Sequence, residues 1–368
     1  MTRTWLCRLV PGNAPDGSPI LSVLGKRTYR FENGKAVRVE EDDQIPFIEA
    51  DEYWGQGNPA TDAARLESDL VAYKPMTDVI LIGKAHVPGG RKAAFLDIGL
   101  QVGEARKIAR VFGDRKAYVT ASGLAFSDPQ PFSEMPLDHS RAYGGADTKS
   151  DEGVTYVYPR NPVGKGFLVK DHPAAVQDLA LPNLEHPQRL LTPQTLALRR
   201  FEAWKNAPEP WAFGYQNKNF HPRYTLSGLA PDQWAQAESD RQRSLAKAPE
   251  VGAKGAPIPA GTPPMLNPQF FNGASTGLAL PHLRGDETFK LAHLDSAFPQ
   301  FAFTLPGTRP TAWLDVGEGP EDMAMALHTV VIHKETNQLT LVWRGCSRYG
   351  GIDSMKDFTL LEYGIKEV

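Results

Sequence analysis

Between residues 91 and 102 the chain alternates. Ala94, Leu96, Ile98, Leu100 and Val102 fall on one side, and Phe95, Asp97, Gly99 and Gln101 on the other. That is the period-two spacing of a half-buried strand. Residues 78–83, Asp-Val-Ile-Leu-Ile-Gly, form a short apolar run, and the spacing predicts an antiparallel hairpin between the two segments, turning near Pro88-Gly89-Gly90. Residues 107–113 alternate again and end at a Gly-Asp turn. Earlier, residues 20–31 and 35–39 flank Asn33-Gly34, a dipeptide that suits the positive φ angles of a tight hairpin. A meandering antiparallel sheet follows from these segments, and strand–helix–strand units do not.

From about 129 to 222 the periodicity weakens, while Pro and Gly recur among persisting aromatic and apolar residues. Packed irregular structure is the expectation there. Thr192-Pro193 can open a short helix, with threonine as N-cap and proline at the first helical position. Pro231-Asp232 opens a second predicted helix, over 231–247. The stretch 248–264 is almost all Pro, Gly and Ala, which predicts a flexible loop or linker. The last hundred residues return to short strands. Residues 327–333 and 338–343 face each other across Lys334-Glu335-Thr336-Asn337, a loop of hairpin length. Leu339, Leu341 and Trp343 share one face of the second strand, and Thr340, Val342 and Arg344 the other. The expected fold is mainly β: antiparallel sheets in a sandwich-like arrangement, with an irregular Pro/Gly-rich middle and a few short helices. The expected division is 1–128 as an N-terminal β region, 129–247 as the middle, 248–264 as the loop, and 265–368 as a C-terminal β region.

Composition narrows the function classes. The 368 residues carry 40 Lys and Arg against 43 Asp and Glu, a net charge of −3. Nucleic-acid binders draw most of their affinity from a basic surplus, so no nucleic-acid partner is expected. The 33 glycines and 31 prolines are spread among apolar residues, which implies many turns. Two cysteines, Cys7 and Cys346, lack metal-ligand spacing and read as reduced thiols. Arg8 interrupts the only apolar run near the N-terminus, and no stretch approaches the ~18 apolar residues of a membrane span. A cytoplasmic protein with no membrane partner is the expectation.

Catalytic motifs are weak. Gly345-Cys346-Ser347-Arg348-Tyr349 lacks the final glycine of a nucleophile elbow. Asn161 to Gly166 offers the Gly-Lys of a phosphate loop, without its first glycine or hydroxyl. None of the nine histidines has the helical spacing of a zinc enzyme, and His328 and His333 flank a strand at odd separation. The acidic run Glu40-Glu41-Asp42-Asp43 suits a solvated loop. No catalytic residue, cofactor or metal site is expected.

Seven segments, in order along the chain, carry a resemblance. They are 74–88 with Lys74 and Asp78; Val111-Phe112-Gly113-Asp114-Arg115; 132–145 with Pro136, Arg141, Gly144 and Gly145; 161–167 with Asn161, Pro162, Gly164 and Gly166; Leu181-Pro182-Asn183-Leu184-Glu185; 283–287 with Gly285; and 341–345 with Trp343 and Arg344. Together they resemble the domain of unknown function 2169 family. Ser140 departs from its pattern, which usually has Glu there, as does Lys116-Ala117-Tyr118, where the family favours tryptophan. The stretch 248–264 resembles an insertion.

The resemblance implies a non-enzymatic adaptor or chaperone. It would bind a type VI secretion effector, or its PAAR-type tip domain, and assist loading onto the VgrG spike trimer. Two other classes stay open: a hydrolase whose site is assembled from distant residues, and a toxin immunity protein. The motif residues themselves admit two roles. Glycine permits positive φ, proline fixes φ, and the forks of Arg115 and Arg141 can hold several carbonyls, which suits a scaffold. The same residues could instead line a cargo groove.

Overall fold

A computed structural model describes residues 5–14, 18–158, 160–170, 172–197, 208–216, 271–317, 319–348 and 361–367. The predicted helix over 231–247 and the predicted loop over 248–264 lie outside the described residues. The fold is mainly β, with two short α-helices among the described residues.

The N-terminal strands are β1 (Leu6–Asn13), β2 (Pro19–Glu32), β3 (Lys35–Arg38), β4 (Thr77–Ile82), β5 (Phe95–Val102) and β6 (Ala105–Phe112). Then come β7 (Leu184–Glu185), β8 (Ala279–Leu280), β9 (Thr288–Ala292) and β10 (Gln300–Thr304). The C-terminal strands are β11 (Pro310–Asp315), β12 (Glu321–Ala324), β13 (Ala326–His333), β14 (Gln338–Arg348) and β15 (Glu362–Glu367).

Twelve of these form one curled, mixed sheet in the order β7-β6-β5-β9-β10-β3-β2-β14-β13-β4-β8, with β1 paired to β2. The two strand-rich ends of the chain therefore share this sheet. The reason is β2. It pairs with β14 from Ile20↔Arg348 to Arg30↔Gln338, and offers its other edge to β1 and then to β3.

Local turn chemistry places the hairpins where the sequence predicts them. Asn33 (φ 48°) and Gly34 (φ 75°) close β2 onto β3. Residues 334–337 close β13 onto β14, with Asn337 at φ 55°. Thr192 caps the helix Pro193–Ala197, its Oγ1 accepting from the Thr195 N–H. One predicted pairing does not form. β4 lies parallel to β13 (Thr329↔Asp78 to His333↔Ile82), while β5 pairs with β6 and β9. Val79, Ile80, Leu81 and Ile82 are all buried. A run apolar on both faces belongs inside a sheet, where a parallel neighbour serves as well as a hairpin partner.

β2 and β14 are covered on both faces. On one lies the three-stranded sheet β12-β11-β15, with Leu21, Val23, Ala312, Leu314 and Met323 forming a core between the layers. The fit is tight at Gly25, where an added Cβ would stand 2.4 Å from Ile365 Cδ1. On the other face residues 45–74 cross as a strap, and Ser22 Oγ donates to the Ala72 carbonyl. From Leu339 to Gly345 both faces of β14 are consequently buried, including its polar one.

Residues 113–185 form short ribbons around the helix Pro173–Val176. A satellite core of Ala117, Leu168, Val176, Leu181 and Leu196 lies beneath them. No helix among the described residues is long and apolar enough to cross a membrane.

Candidate functional site

The motif residues gather into one buried cluster, a second cluster that is buried at Asn183, Arg115 and Glu185 and open to solvent at Asp114, and one close contact. The first cluster fixes the strap. Lys74 and Asp78 have side chains 2% and 0% exposed and pair at 2.6 Å, with Glu67 3.4 Å from the same ammonium. Asp78 Oδ1 also accepts from Asn272 Nδ2 (2.9 Å) and the Ala274 N–H (3.1 Å), and Oδ2 accepts from the Gly273 N–H (2.9 Å). Burial lowers the pKa of Lys74, and the Asp78 charge opposes that shift.

Arg344 donates through Nε to the Val71 carbonyl and through Nη2 to the Asp69 carbonyl (2.7 Å). Lys26, opposite the strap on β2, meets Asp69 Oδ2 at 2.6 Å and the Pro46 carbonyl at 2.7 Å. The cations of β2 and β14 thus seize the backbone and one carboxylate of the strap. This explains why Arg344 sits on a polar face that is nevertheless buried.

The second cluster ties residues 113–185 to the edge of the sheet. Asn183, fully buried, donates to the Phe112 carbonyl and to Asp114 Oδ1, while its own Oδ1 accepts from Lys165 Nζ (3.0 Å). Arg141 approaches Asp114 at 3.7 Å. The Asn183 bond, helped by Lys165 and Arg141, holds the Asp114 carboxyl below its ordinary pKa. Arg115 pairs with Glu185 and lies 3.8 Å from the centre of the Phe112 ring. Asn161 Nδ2 donates to the carbonyls of His139 (2.8 Å) and Tyr143 (3.0 Å).

The glycines make this packing possible. A Cβ on Gly113 would stand 1.7 Å from the Gln130 carbonyl oxygen, and one on Gly164 2.4 Å from Asn161 Nδ2. Gly144, Gly145 and Gly166 hold φ of 149°, 99° and 91°, and a Cβ on Gly166 would meet the Pro182 ring. Pro162 lies in the turn between Asn161 and Gly164, and Pro136 ends a ribbon whose register pairs it with Lys84.

The close contact is Gly285 against Trp343. At φ 92°, a Cβ on Gly285 would be 2.9 Å from the indole.

Sequence reasoning missed the partners Lys26, Glu67, Asp69 and Asn272, and a junction between the clusters. At that junction His139, whose carbonyl serves Asn161, faces Ser275 Oγ with Nε2 at 3.5 Å. Burial lowers the His139 pKa to about 3. Lys107 lies beside it, donating to the Thr276 carbonyl (2.6 Å) with its ammonium 4.1 Å from the Trp211 ring. Burial pulls the Lys107 pKa to about 7. A signal for Lys107 was present: it occupies an inward position of the alternation that continues at Ala109 and Val111.

Three concavities bear on what this arrangement can do. One, lined by Tyr143, Pro182, Glu185, His186 and Trp211, has about 30 Å3, room for a single water. A second, between Trp54, Arg65, Gly83, Pro136 and Asp138, has about 160 Å3, below the ~300–1,000 Å3 of ligand pockets. The third is an open groove of about 650 Å3, where Phe31, Phe298, Phe301, Asp295 and Lys334 meet, and no motif residue lines it. Among the described residues no three His, Cys, Asp or Glu side chains gather to hold a metal ion.

Most polar atoms of the motif residues therefore bond to one another, to neighbouring side chains or to backbone. These contacts link the strap, the ribbons and the sheet.

No curated protein and no solved structure matches the chain. A family model matches residues 16–344, a span that contains both clusters and the Gly285–Trp343 contact. The chain belongs to the family described as uncharacterized protein conserved in bacteria (DUF2169).

Proposed function

We propose that this protein is a non-enzymatic adaptor that binds a type VI secretion effector, or the PAAR-type domain joined to it, and assists its loading onto the VgrG spike. The role follows from the resemblance carried by the motif segments. The observation that supports binding over chemistry is the use made of those residues. Lys74, Asp78, Arg115, Asn161, Asn183 and Arg344 turn most of their polar atoms to each other and to neighbouring side chains and backbone, while Arg115 Nε, Asn161 Oδ1 and Arg344 Nη1 are buried with no bond among the described residues. Residues held in this way fix the shape of a body and leave recognition to its surface.

Gene deletion tests the role. The account predicts healthy cells that make the effector and fail to deliver it. Cells poisoned by the deletion would indicate immunity instead and contradict the adaptor role.

A further inference from the structure

The large sheet is nearly open at one seam. β10 joins β3 only through Thr304↔Lys35, with the Thr304 N–H donating to the Gly34 carbonyl at 3.1 Å. On its other side β10 is fully paired with β9, from Thr288↔Thr304 to Ala292↔Gln300.

Hydrogen-bonding groups along a strand alternate in direction, so residues two apart face the same way. Thr304 turns its N–H away from β9, and Ala302 and Gln300 therefore do the same. Gly34 stands against the Ala302 carbonyl, beyond it the chain has folded back into β2, and among the described residues no strand of the sheet lies beside that stretch of β10. Here the 650 Å3 groove opens. The tips of the β2–β3 and β13–β14 hairpins form one wall, and the 295–298 turn closes an end.

The side chains around this edge show what would fit. Gln300 and Ala302 are exposed, and Phe298, at 58% exposure, stands beside the half-buried Phe301. Among the described residues the one cation lining the groove is already engaged: Lys334 meets Asp295 and lies 3.9 Å from the centre of the Phe301 ring. Glu335, exposed and within reach of the Lys84 charge, makes the described lining acidic by one charge.

We propose that this groove takes an extended segment of a partner protein as an added strand beside β10, one that alternates apolar and basic side chains. Its backbone would complete the bonds of Gln300 and Ala302. Its apolar residues would cover Phe298 and Phe301, and its cations would face Glu335. Such strand addition draws affinity from main-chain bonds and specificity from alternate side chains. The proposal rests on the adaptor role and names the kind of segment that the effector side would present.

A labelled seven-residue peptide of alternating valine and lysine, followed by fluorescence polarisation on the full chain, tests it. Saturable binding is expected, weakened at least tenfold by Ala302→Pro, which removes an edge N–H at a position where an edge strand tolerates proline. Phe298→Ser should weaken it similarly. It is exposed enough to leave the melting curve unchanged, so its result stands if Ala302→Pro misfolds. A peptide of alternating valine and glutamate, or the lysine peptide methylated on alternate backbone nitrogens, should bind at least tenfold less.

Equal binding of the acidic peptide, or binding indifferent to Phe298→Ser, would overturn the proposal. So would self-association in light scattering that Ala302→Pro abolishes, since the occupant would then be a second copy. A chain that recovers its effector from lysate yet binds no peptide would overturn this groove and leave the adaptor role standing.

Discussion

At the scale of single residues, Lys74 and Asp78 show how charge is made to serve packing. Both are removed from water and paired at 2.6 Å, and Asp78 accepts three further bonds from Asn272, Gly273 and Ala274. Removing one partner of a buried, hydrogen-bonded pair leaves an uncompensated charge and costs about 3–5 kcal/mol. Lys74→Met should therefore lower the free energy of unfolding by about that amount in urea titrations; a loss below about 1 kcal/mol would show that Asp78 is satisfied without it.

The sequence named Lys74, Asp78 and Arg344 through their motifs. It could not supply their partners. Asn272 lies far along the chain, and a bond between distant residues leaves no periodicity to read. Asp69 holds Lys26 through its side chain and Arg344 through its carbonyl, and the second of these is available to any residue type. Gly113 and Gly164 were legible as turn residues, yet the backbone atoms that forbid a side chain there belong to other segments.

At the scale of elements, hairpins were the legible part because their signals are local. Asn33-Gly34 and the 334–337 loop set the register of β2–β3 and β13–β14. The parallel pairing of β4 with β13 depends on chain segments far apart in sequence, and an apolar run carries no direction.

β6 bears a further consequence of burial. Lys107 projects from it against segment 208–216 at Trp211 and Phe213, and against 271–280 at Thr276. Glu209, His139 and His186 are the titratable groups among the described residues that act on it there. Its pKa is lowered to about 7 by burial, against ~10.4 in an unfolded chain. Between those values the unfolded state binds a proton that the folded state does not, so stability is lost as pH falls from ~10 toward ~7. Lys107→Met should remove a slope of up to ~1.4 kcal/mol per pH unit across that window. Unfolding titrations at several pH values between 7 and 10 measure it, and equal slopes for the two proteins would contradict the assignment.

At the scale of the whole molecule, the two ends of the chain meet in β2 and β14. The strap and a three-stranded sheet cover that pair, and the irregular middle is pinned to the sheet edge through Asn183, Arg115 and Glu185. The mainly β character was visible in the alternation, whereas a single shared sheet was not, because pairing between distant strands is set by tertiary packing.

A body whose diagnostic residues bond mostly within the fold supports the proposed adaptor role, a fixed surface offered to another protein, and that proposal is the central claim. The most direct measurement is affinity capture of the tagged chain from its host under mild conditions, with the bound proteins identified by mass spectrometry. The account predicts one effector together with a spike component. Recovery of neither, with the chain folded and soluble, would contradict it.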